Sequence, residues 1–417
     1  MIKFYIDNDF EKIRPEIKYI LEIWSKNQRT EINFTNIQEG AVTIGNNERN
    51  MFCVSRLLEL HNSPSFNEMC LIENRNGHPD FISTAFFMIN SLQEHNDKDR
   101  DVLGRFKFTN SYQYRFKNSK ENIVQHCLNE ISKIIGITPR NEKTRFFLSH
   151  DIDSVNGAIL EDGFNVLKKG RIDQFFQMLL NVAITKPDWL NMDKIMKIES
   201  EYDCKSVFFW IVNKGRINQR EKNADYLFRS KKIQREFNAI EQNGFENGIH
   251  KSISNETFED EFIKYGQRPI SNRYHYLKYT LPKAYHEIQG AGLKLDASLG
   301  FAEEIGFRNS YGLPFNPFDF KNRKPFSFVE VPLHIMDRTF FQYKKMNVKL
   351  AESEIIEFFE KNREHCVLSV LWHNNFFTNY KFKGYLDLYK KILGYIKENN
   401  FTTISQEEII KKYSISS

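Results

Sequence analysis

From Arg145 onward the sequence alternates short apolar runs with long stretches of helical spacing, and this alternation limits the possible fold more than any other feature. The first apolar run, Arg145 to Ser149, continues directly into polar residues 150–153. A second run covers Val207 to Val212, and later runs end near residues 250, 296, 333 and 372. Strands that alternate with helices indicate an α/β domain built on a mostly parallel sheet.

A short linker separates this part of the chain from an N-terminal region of different texture. The linker, Thr138 to Lys143, contains a proline and mixed charges. The region before it is predicted to begin with a strand at Lys3 to Ile6 and a helix that ends near Trp24, followed by helical patterns at Cys53 to Leu60 and Asn122 to Ile135. We therefore expect a smaller α/β domain of unknown role over residues 1–140 and a second domain over residues 144–417.

Composition and charge exclude several functional classes. Hydrophobic residues make up 41% and charged residues 27% of the 417 residues, which is typical of a globular protein. The net charge of +5 is not concentrated in a basic cluster, so a nucleic-acid or membrane-surface role gains no support. No apolar run is long enough for a transmembrane helix. Five scattered cysteines and the absence of a signal-like N-terminus predict a cytoplasmic location.

Three predicted strands end in polar residues that carry chemistry. One ends in His150-Asp151-Ile152-Asp153, one ends at His250, and the last ends at His373. The carboxyl ends of parallel strands meet at one edge of a sheet, where active sites form. Asp151 and Asp153 lie two positions apart and share a face of an extended segment, and two buried carboxylates need a partner or a metal. We expect Asp153 as metal ligand and Asp151 as general base; a helix N-cap is the alternative for Asp153.

Three further residues complete this candidate centre. Arg273 would hold Asp151 ionised through a charge-assisted bond, although a surface salt bridge explains it equally well. His275 is the other imidazole placed to join a His/His/Asp ligand set. His373 lies where a general acid could protonate a leaving amine.

The ordered motifs resemble the polysaccharide deacetylases, the NodB-homology or carbohydrate esterase family 4 group, over residues 144–400. That resemblance implies a distorted (β/α) barrel and a metal-dependent deacylase of amino sugars, with Asp151 as base and Asp153 as metal ligand. The extra N-terminal region implies a divergent branch that accompanies bacterial surface-polysaccharide (O-antigen-type) biosynthesis. The matching segments are Ser149–Asp153, Ser206–Phe209, Gly248–His250, Arg273, Asp296 and Leu371–His373.

One departure from the family pattern concerns the metal site. The family's second motif has a second histidine four positions after the first, and here that position is Ser254. Three arrangements stay open: a metal held by Asp153, His250 and His275; a metal held by Asp153, His250 and water or Ser254; or no metal. A divalent ion is expected, and zinc is the ion favoured.

Further residues are candidates for binding substrate, and several functions compete. The first choice is a metal-dependent hydrolase that removes an acetyl or formyl group from a nucleotide-linked, lipid-linked or oligosaccharide amino sugar. The alternatives are a catalytically inactive carbohydrate-binding protein and a glycoside hydrolase that pairs Asp151 with Asp296 or Asp337. The substrate-binding candidates are Arg308, Trp372, Tyr274 and Asp296; weaker ones are Asp319, His334, Asp337 and Trp210.

Overall fold

The computed structural model describes residues 1–45, 50–54, 65–74, 76–157, 163–164, 166–184 and 188–415. Its first strands are β1 (Ile2–Ile6), β2 (Ile32–Thr35), β3 (Val42–Gly45) and β4 (Phe52–Cys53). They form a four-stranded parallel sheet in the spatial order β2-β1-β3-β4. The helices of this region are α1 (Arg14–Gln28), α2 (Phe81–Ile89), α3 (Tyr112–Arg115) and α4 (Ile123–Ile135).

Two elements of this region differ from the sequence prediction. The predicted helix from Cys53 to Leu60 is wrong at its start, because Cys53 ends strand β4, and residues 55–64 lie outside the described residues. Helix α2 was not predicted. Eight of its nine residues are buried, so it is covered on every side and lacks the exposed polar face that marks an amphipathic helix.

The rest of the chain alternates strands and helices, as the sequence pattern predicts. The helices are α5 (Ile172–Ile184), α6 (Met192–Glu201), α7 (Lys231–Gln242), α8 (Phe258–Tyr265), α9 (Lys283–Gly290), α10 (Val348–Lys361), α11 (Tyr385–Glu398) and α12 (Gln406–Tyr413). The strands are β5 (Arg145–Ile152), β6 (Ser206–Trp210), β7 (Glu246–Lys251), β8 (Ser271–Tyr274), β9 (Leu295–Asp296), β10 (Phe318–Asp319), β11 (Lys324–Pro325), β12 (Val329–Glu330), β13 (Ile335–Met336), β14 (Val367–Leu371) and β15 (Thr402–Thr403).

Nine of these strands form one curled parallel sheet, which makes the fold a distorted (β/α) barrel. The spatial order is β12-β9-β8-β7-β6-β5-β14-β13, and β15 also pairs with β5. Every paired neighbour is parallel, and among the described residues β12 and β13 do not pair with each other, so the barrel stays open. Strands β10 and β11 form a separate antiparallel pair.

The central strands are buried on both faces, which explains their continuous apolar sequences. All five residues of β6 are buried. The neighbouring β7 contains Gly248, where a Cβ atom would lie 2.5 Å from both the Phe209 ring and Ser271 Oγ. Glycine is therefore needed at this position for β7 to lie close to its neighbours, two residues before His250.

The N-terminal region and the barrel share one hydrophobic core. Tyr19 of α1, for example, donates a hydrogen bond to the carbonyl oxygen of Asn316 at 2.8 Å. Helix α4 ends at Ile135 and β5 begins at Arg145, so the proposed division at residues 140–144 falls in a connecting segment and stays a prediction. No helix among the described residues is long and apolar enough to cross a membrane.

Candidate metal and catalytic centre

The carboxyl edge of the barrel sheet collects the polar side chains that the sequence places at strand ends. Asp151 is the second-to-last residue of β5 and Asp153 directly follows that strand, while His250 is the second-to-last residue of β7. His275 follows β8, and His373 comes two residues after β14. Since β14, β5, β6, β7 and β8 are consecutive parallel neighbours, these five residues lie at the same edge.

Asp153, His250 and His275 form a possible metal-binding group. Each offers one ligand atom, and these atoms lie within 4.8 Å of one another. His250 Nδ1 donates to the carbonyl oxygen of Arg273 at 2.9 Å, which turns Nε2 toward the carboxylates. This Nε2 atom lies 3.3 Å from Asp151 Oδ2 and 3.3 Å from Asp153 Oδ1. A proton or a metal ion therefore has to lie between these acceptor atoms.

An unpartnered polar atom supports a cation at this position. Asp153 Oδ1 is buried and has no hydrogen-bond partner among the described residues. His275 Nε2 lies 3.6 Å from Asp153 Oδ1. Two imidazoles and one carboxylate are the ligand set of many catalytic zinc sites, which keep an open position for water, so the residues fit a divalent metal.

Ser254 does not belong to this group. Its hydroxyl donates to Glu261 at 3.4 Å and accepts from Ser252 at 3.2 Å. The sequence left two ligand sets open, one with His275 and one with water or Ser254. In the structure His275, and not Ser254, lies beside Asp153.

The charges of the group follow from burial and from the neighbouring residues. Burial alone would raise the pKa of Asp153, but His275 and His250 outweigh it and hold this pKa well below its ordinary value. Burial lowers the pKa of His250, yet Asp151 and Asp153 raise it above the ordinary value. The pKa of His275 is lowered, because burial outweighs the attraction of Asp153. The group therefore combines an ionised Asp153, a neutral His275 and a His250 whose protonated form is favoured by the two carboxylates, and a bound metal ion would displace that proton.

Arg273 fixes the orientation of Asp151. Its Nη1 atom donates to Asp151 Oδ1 and to Ser149 Oγ, both at 2.9 Å, and its Nε atom donates to the carbonyl oxygen of Ala297 at 2.8 Å. Burial raises the pKa of Asp151, but His250 and Arg273 lower it below the ordinary value. Asp151 is thus held as a carboxylate with Oδ2 directed toward the metal-binding group.

His373 is paired with Asp337. Its Nδ1 atom donates to Asp337 Oδ1 at 2.8 Å, and its backbone N–H donates to Asp337 Oδ2 at 2.5 Å. The free Nε2 atom lies 3.6 Å from Asp153 Oδ2. In the sequence Asp337 is only a weak candidate, and its one signal is its position directly after β13, the neighbour of β14.

A cavity of about 330 Å³ opens above these residues. One wall comes from the N-terminal region, which sequence analysis did not connect with the site. Val102, Leu103 and Arg105 line this wall, and nothing in the local sequence indicates the distant contact. The remaining lining residues include Asp151, Asp153, Ser154, Trp189, Arg220, His250, His275, Tyr276, Arg338, Tyr343 and His373.

Arg308 and Trp372, two predicted substrate-binding residues, do not line this cavity. The Arg308 guanidinium is buried in a bidentate ion pair with Glu94, with contacts of 2.7 and 2.5 Å, and donates to the carbonyl oxygen of Gly300. Trp372 is fully buried and packs on Tyr389, with ring centroids 5.4 Å apart. Neither side chain reaches the cavity, so the structure does not place Arg308 or Trp372 with the other candidate site residues.

Tyr274 and Asp296 also lie outside the cavity lining. The Tyr274 hydroxyl donates to Glu287 at 3.1 Å and borders a larger groove of about 1560 Å³ beside His275. Asp296 accepts from Asn272 at 2.6 Å, and burial raises its pKa to about 6. Asp296 is therefore not placed to form a glycosidase pair with Asp151.

The weaker candidates are placed in the same way. His334 is buried and accepts from the backbone N–H of Ser369 at 3.0 Å. Asp319 accepts hydrogen bonds from its own turn, including one from Asn322 at 2.7 Å. Trp210 is fully buried in the core. None of these three side chains lines the cavity.

Comparisons with known proteins give weak similarities. Residues 6–137 match the model of a family of unknown function (DUF7033). No curated protein matches the sequence. Similar solved structures include a protein assigned as a polysaccharide deacetylase from Mycobacterium smegmatis (10% identity, 66% of this chain and 94% of that one, TM-score 0.39). A second is the polysaccharide deacetylase Bc1974 from Bacillus cereus (13% identity, 64% of this chain and 94% of that one, TM-score 0.32). A third is BA3943, a CE4 family pseudoenzyme from Bacillus anthracis (11% identity, 68% of this chain and 73% of that one, TM-score 0.29). These similarities are too weak to carry a functional assignment.

Proposed function

We propose that the protein is a metal-dependent hydrolase that removes an N-acyl group, acetyl or formyl, from an amino sugar used in bacterial surface-polysaccharide biosynthesis. One observation carries this proposal. A possible metal-binding group, a carboxylate held by an arginine and a histidine held by a carboxylate all face one cavity of about 330 Å³.

Each part of the centre has a role in hydrolysis of an amide. Asp153, His250 and His275 would hold a divalent ion, which when bound polarises the acyl carbonyl and makes water more acidic. Asp151 accepts the proton of the water whose oxygen attacks the acyl carbon. Arg273 keeps Asp151 oriented and ionised while it does so.

His373 completes the reaction as general acid. As the carbon–nitrogen bond breaks, Nε2 donates its proton to the departing amine nitrogen. Asp337 accepts a hydrogen bond from the Nδ1–H group and so fixes the orientation of the ring. The products are a free amino sugar and acetate or formate. The water oxygen leaves in the acid, and loss of the proton from Asp151 to solvent with uptake of a proton by His373 restores both groups.

The metal ligands and the base are separable by mutation. We expect Asp153→Asn and His250→Ala to lose bound metal and activity together, because both remove a ligand. Asp151→Asn should retain metal and lose turnover, because it removes only the proton acceptor. Metal content is measured by mass spectrometry, and acyl release from N-acetylated and N-formylated amino sugars is measured in parallel.

The alternative, a catalytically inactive carbohydrate-binding protein, makes the opposite prediction. It requires sugar binding without bound metal and without acyl release, even after reloading with zinc. A protein in which Asp153→Asn keeps metal while Asp151→Asn loses it would contradict the assignment of the two carboxylates.

A further inference from the structure

Helix α5 (Ile172–Ile184) exposes an apolar face at the surface of the protein. Ile172, Phe176, Leu179 and Leu180 are between 37% and 60% exposed, and their spacing places them on one side of the helix. Of the 17 large hydrophobic residues exposed among the described residues, six fall between Phe164 and Leu180. Single exposed apolar residues are normal, but a concentrated patch marks an interaction surface.

Cationic residues directly precede this helix in the chain. Lys168, Lys169 and Arg171 are exposed, and Asp173 is the one acidic residue between positions 163 and 184. An apolar helix face next to lysine and arginine is typical of helices that lie in the headgroup layer of anionic membranes. Contact with a second copy of this chain would bring like charges together, so charge complementarity favours the lipid surface.

The helix can lie on a membrane but not cross it. Its 13 residues correspond to about 20 Å at the α-helical rise, which is shorter than the hydrocarbon core. The net charge of the whole chain is dispersed and by itself gives no support to a membrane-surface role. Locally, however, three exposed cations precede a helix with an exposed apolar face.

The position of α5 connects this surface with the candidate catalytic centre. The helix is inserted between β5 and α6, and Ser154 and Trp189, which flank the insertion, both line the cavity. Asn374 donates to the carbonyl oxygens of Ser154 at 2.8 Å and Trp189 at 2.6 Å. Asn374 directly follows His373, so the two ends of the insertion are fastened beside the proposed general acid.

We propose that α5 docks the mouth of the cavity onto an anionic membrane surface, where the substrate is an amino sugar attached through phosphate to a membrane lipid. The second part of this proposal rests on the proposed hydrolase function. Of the substrate classes that the sequence left open, the proposal selects lipid-linked amino sugars over water-soluble nucleotide-linked ones.

Vesicle flotation with the full chain tests the docking. The probe is a phosphatidylethanolamine vesicle with roughly one quarter phosphatidylglycerol, compared with pure phosphatidylcholine. We expect wild type to float with the anionic vesicles, and Phe176→Ser/Leu180→Ser to lower the bound fraction at least about tenfold. Lys168→Gln/Lys169→Gln/Arg171→Gln should weaken binding and remove its dependence on salt concentration.

A matched control replaces exposed leucines elsewhere. Leu227 and Leu350 are 63% and 55% exposed and lie outside α5, so Leu227→Ser/Leu350→Ser should bind vesicles like wild type. The docking proposal is overturned if wild type does not float. It is also overturned if Phe176→Ser/Leu180→Ser floats normally, or if that variant only converts a dimer into a monomer in sedimentation analysis.

A second assay tests the substrate class. Acyl release is compared between a polyprenyl-diphosphate-linked N-acetyl amino sugar in the vesicles and a nucleoside-diphosphate-linked one in solution. We expect hydrolysis of the vesicle-held sugar, with a raised KM in Phe176→Ser/Leu180→Ser, and little hydrolysis of the soluble one. The opposite preference overturns the lipid-linked substrate. Metal content is measured on the same samples, so failure of the hydrolase proposal is recognised independently of vesicle binding.

Discussion

Replacement of Arg105 by alanine tests whether the N-terminal region supports the metal-binding group. His275 begins a turn in which Tyr276 and Leu277 both adopt left-handed backbone angles, with φ of 58° and 54°. Such angles are sparsely populated for residues with bulky side chains and need support from the surroundings. The Tyr276 ring also stacks on the His275 ring, with centroids 4.0 Å apart.

Arg105 provides part of that support. Its Nη1 atom donates to the carbonyl oxygen of Tyr276 at 3.2 Å and to the Tyr343 hydroxyl at 3.1 Å. Asp101 holds the other side of the guanidinium, with Nη2 to Oδ2 at 2.6 Å. The side chain is buried, and it comes from the turn that forms the N-terminal wall of the cavity.

The expected magnitude follows from the lost contact. A hydrogen bond from a charged donor contributes about 1.5–3 kcal/mol, and about 1.4 kcal/mol changes an equilibrium constant tenfold. If the Tyr276 contact stabilises the metal-binding position of His275, Arg105→Ala should weaken zinc binding by about 10- to 100-fold, as is typical for residues that orient metal ligands.

Competition with a chromophoric chelator measures the zinc Kd, and the cobalt(II) spectrum reports ligand geometry. Arg115→Ala is the control, since Arg115 is an exposed arginine of the same region. In a His275→Ala background, Arg105→Ala should cause no further loss of affinity. Equal losses in both backgrounds, or an Arg105→Ala variant with wild-type affinity, would refute the reasoning. If Arg105→Ala does not fold, Arg105→Lys must still weaken binding.

Three further changes test other parts of the structure. Asp337→Asn should lower kcat by about 100-fold or more without loss of metal, because His373 loses the carboxylate that orients it; acyl release and metal content measure this. Glu94→Gln should lower the free energy of unfolding by about 3–5 kcal/mol in urea titrations, because it leaves the Arg308 guanidinium buried without its partner. Burial lowers the pKa of His334 to about 3 in the folded protein, whereas its unfolded pKa is about 6.5. The unfolded state therefore binds an additional proton as pH falls below about 6.5, and stability should decrease by up to about 1.4 kcal/mol per pH unit until about pH 3, measured as unfolding free energy against pH.

Each of these predictions has a control. Glu130→Gln removes a solvent-accessible ion pair with Lys133 and should cost less than about 1 kcal/mol; an equal cost for Glu94→Gln would contradict the importance of burial. His334→Gln should reduce the dependence of stability on pH, and an unchanged dependence would assign it to other groups. An Asp337→Asn variant that retains full kcat would exclude Asp337 from the reaction.

Much of the fold could be predicted because its signals are local. The apolar runs of the barrel strands, such as residues 206–210, are separated by helices with amphipathic spacing, and that alternation specifies a parallel α/β sheet. Polar residues at the ends of such strands meet at one edge whatever the detailed packing, so Asp151, Asp153, His250 and His373 could be named together. Helix α2 escaped prediction because a helix buried on every side has no periodic pattern.

The tertiary structure decided what depends on contacts between distant segments. Placement of His275 beside Asp153 requires the turn after β8, whose left-handed angles no sequence pattern indicates. In the sequence Arg308 could equally bind substrate or form an ion pair. Its partner Glu94 is more than 200 positions away in the chain, and the two form a buried ion pair in the folded protein. By itself, the sequence determined which residues lie at the carboxyl edge of the sheet, because strand periodicity is a local property. Only the folded chain decided which of them face the cavity and that Arg105 of the N-terminal region lines it, because those contacts depend on how separate elements pack.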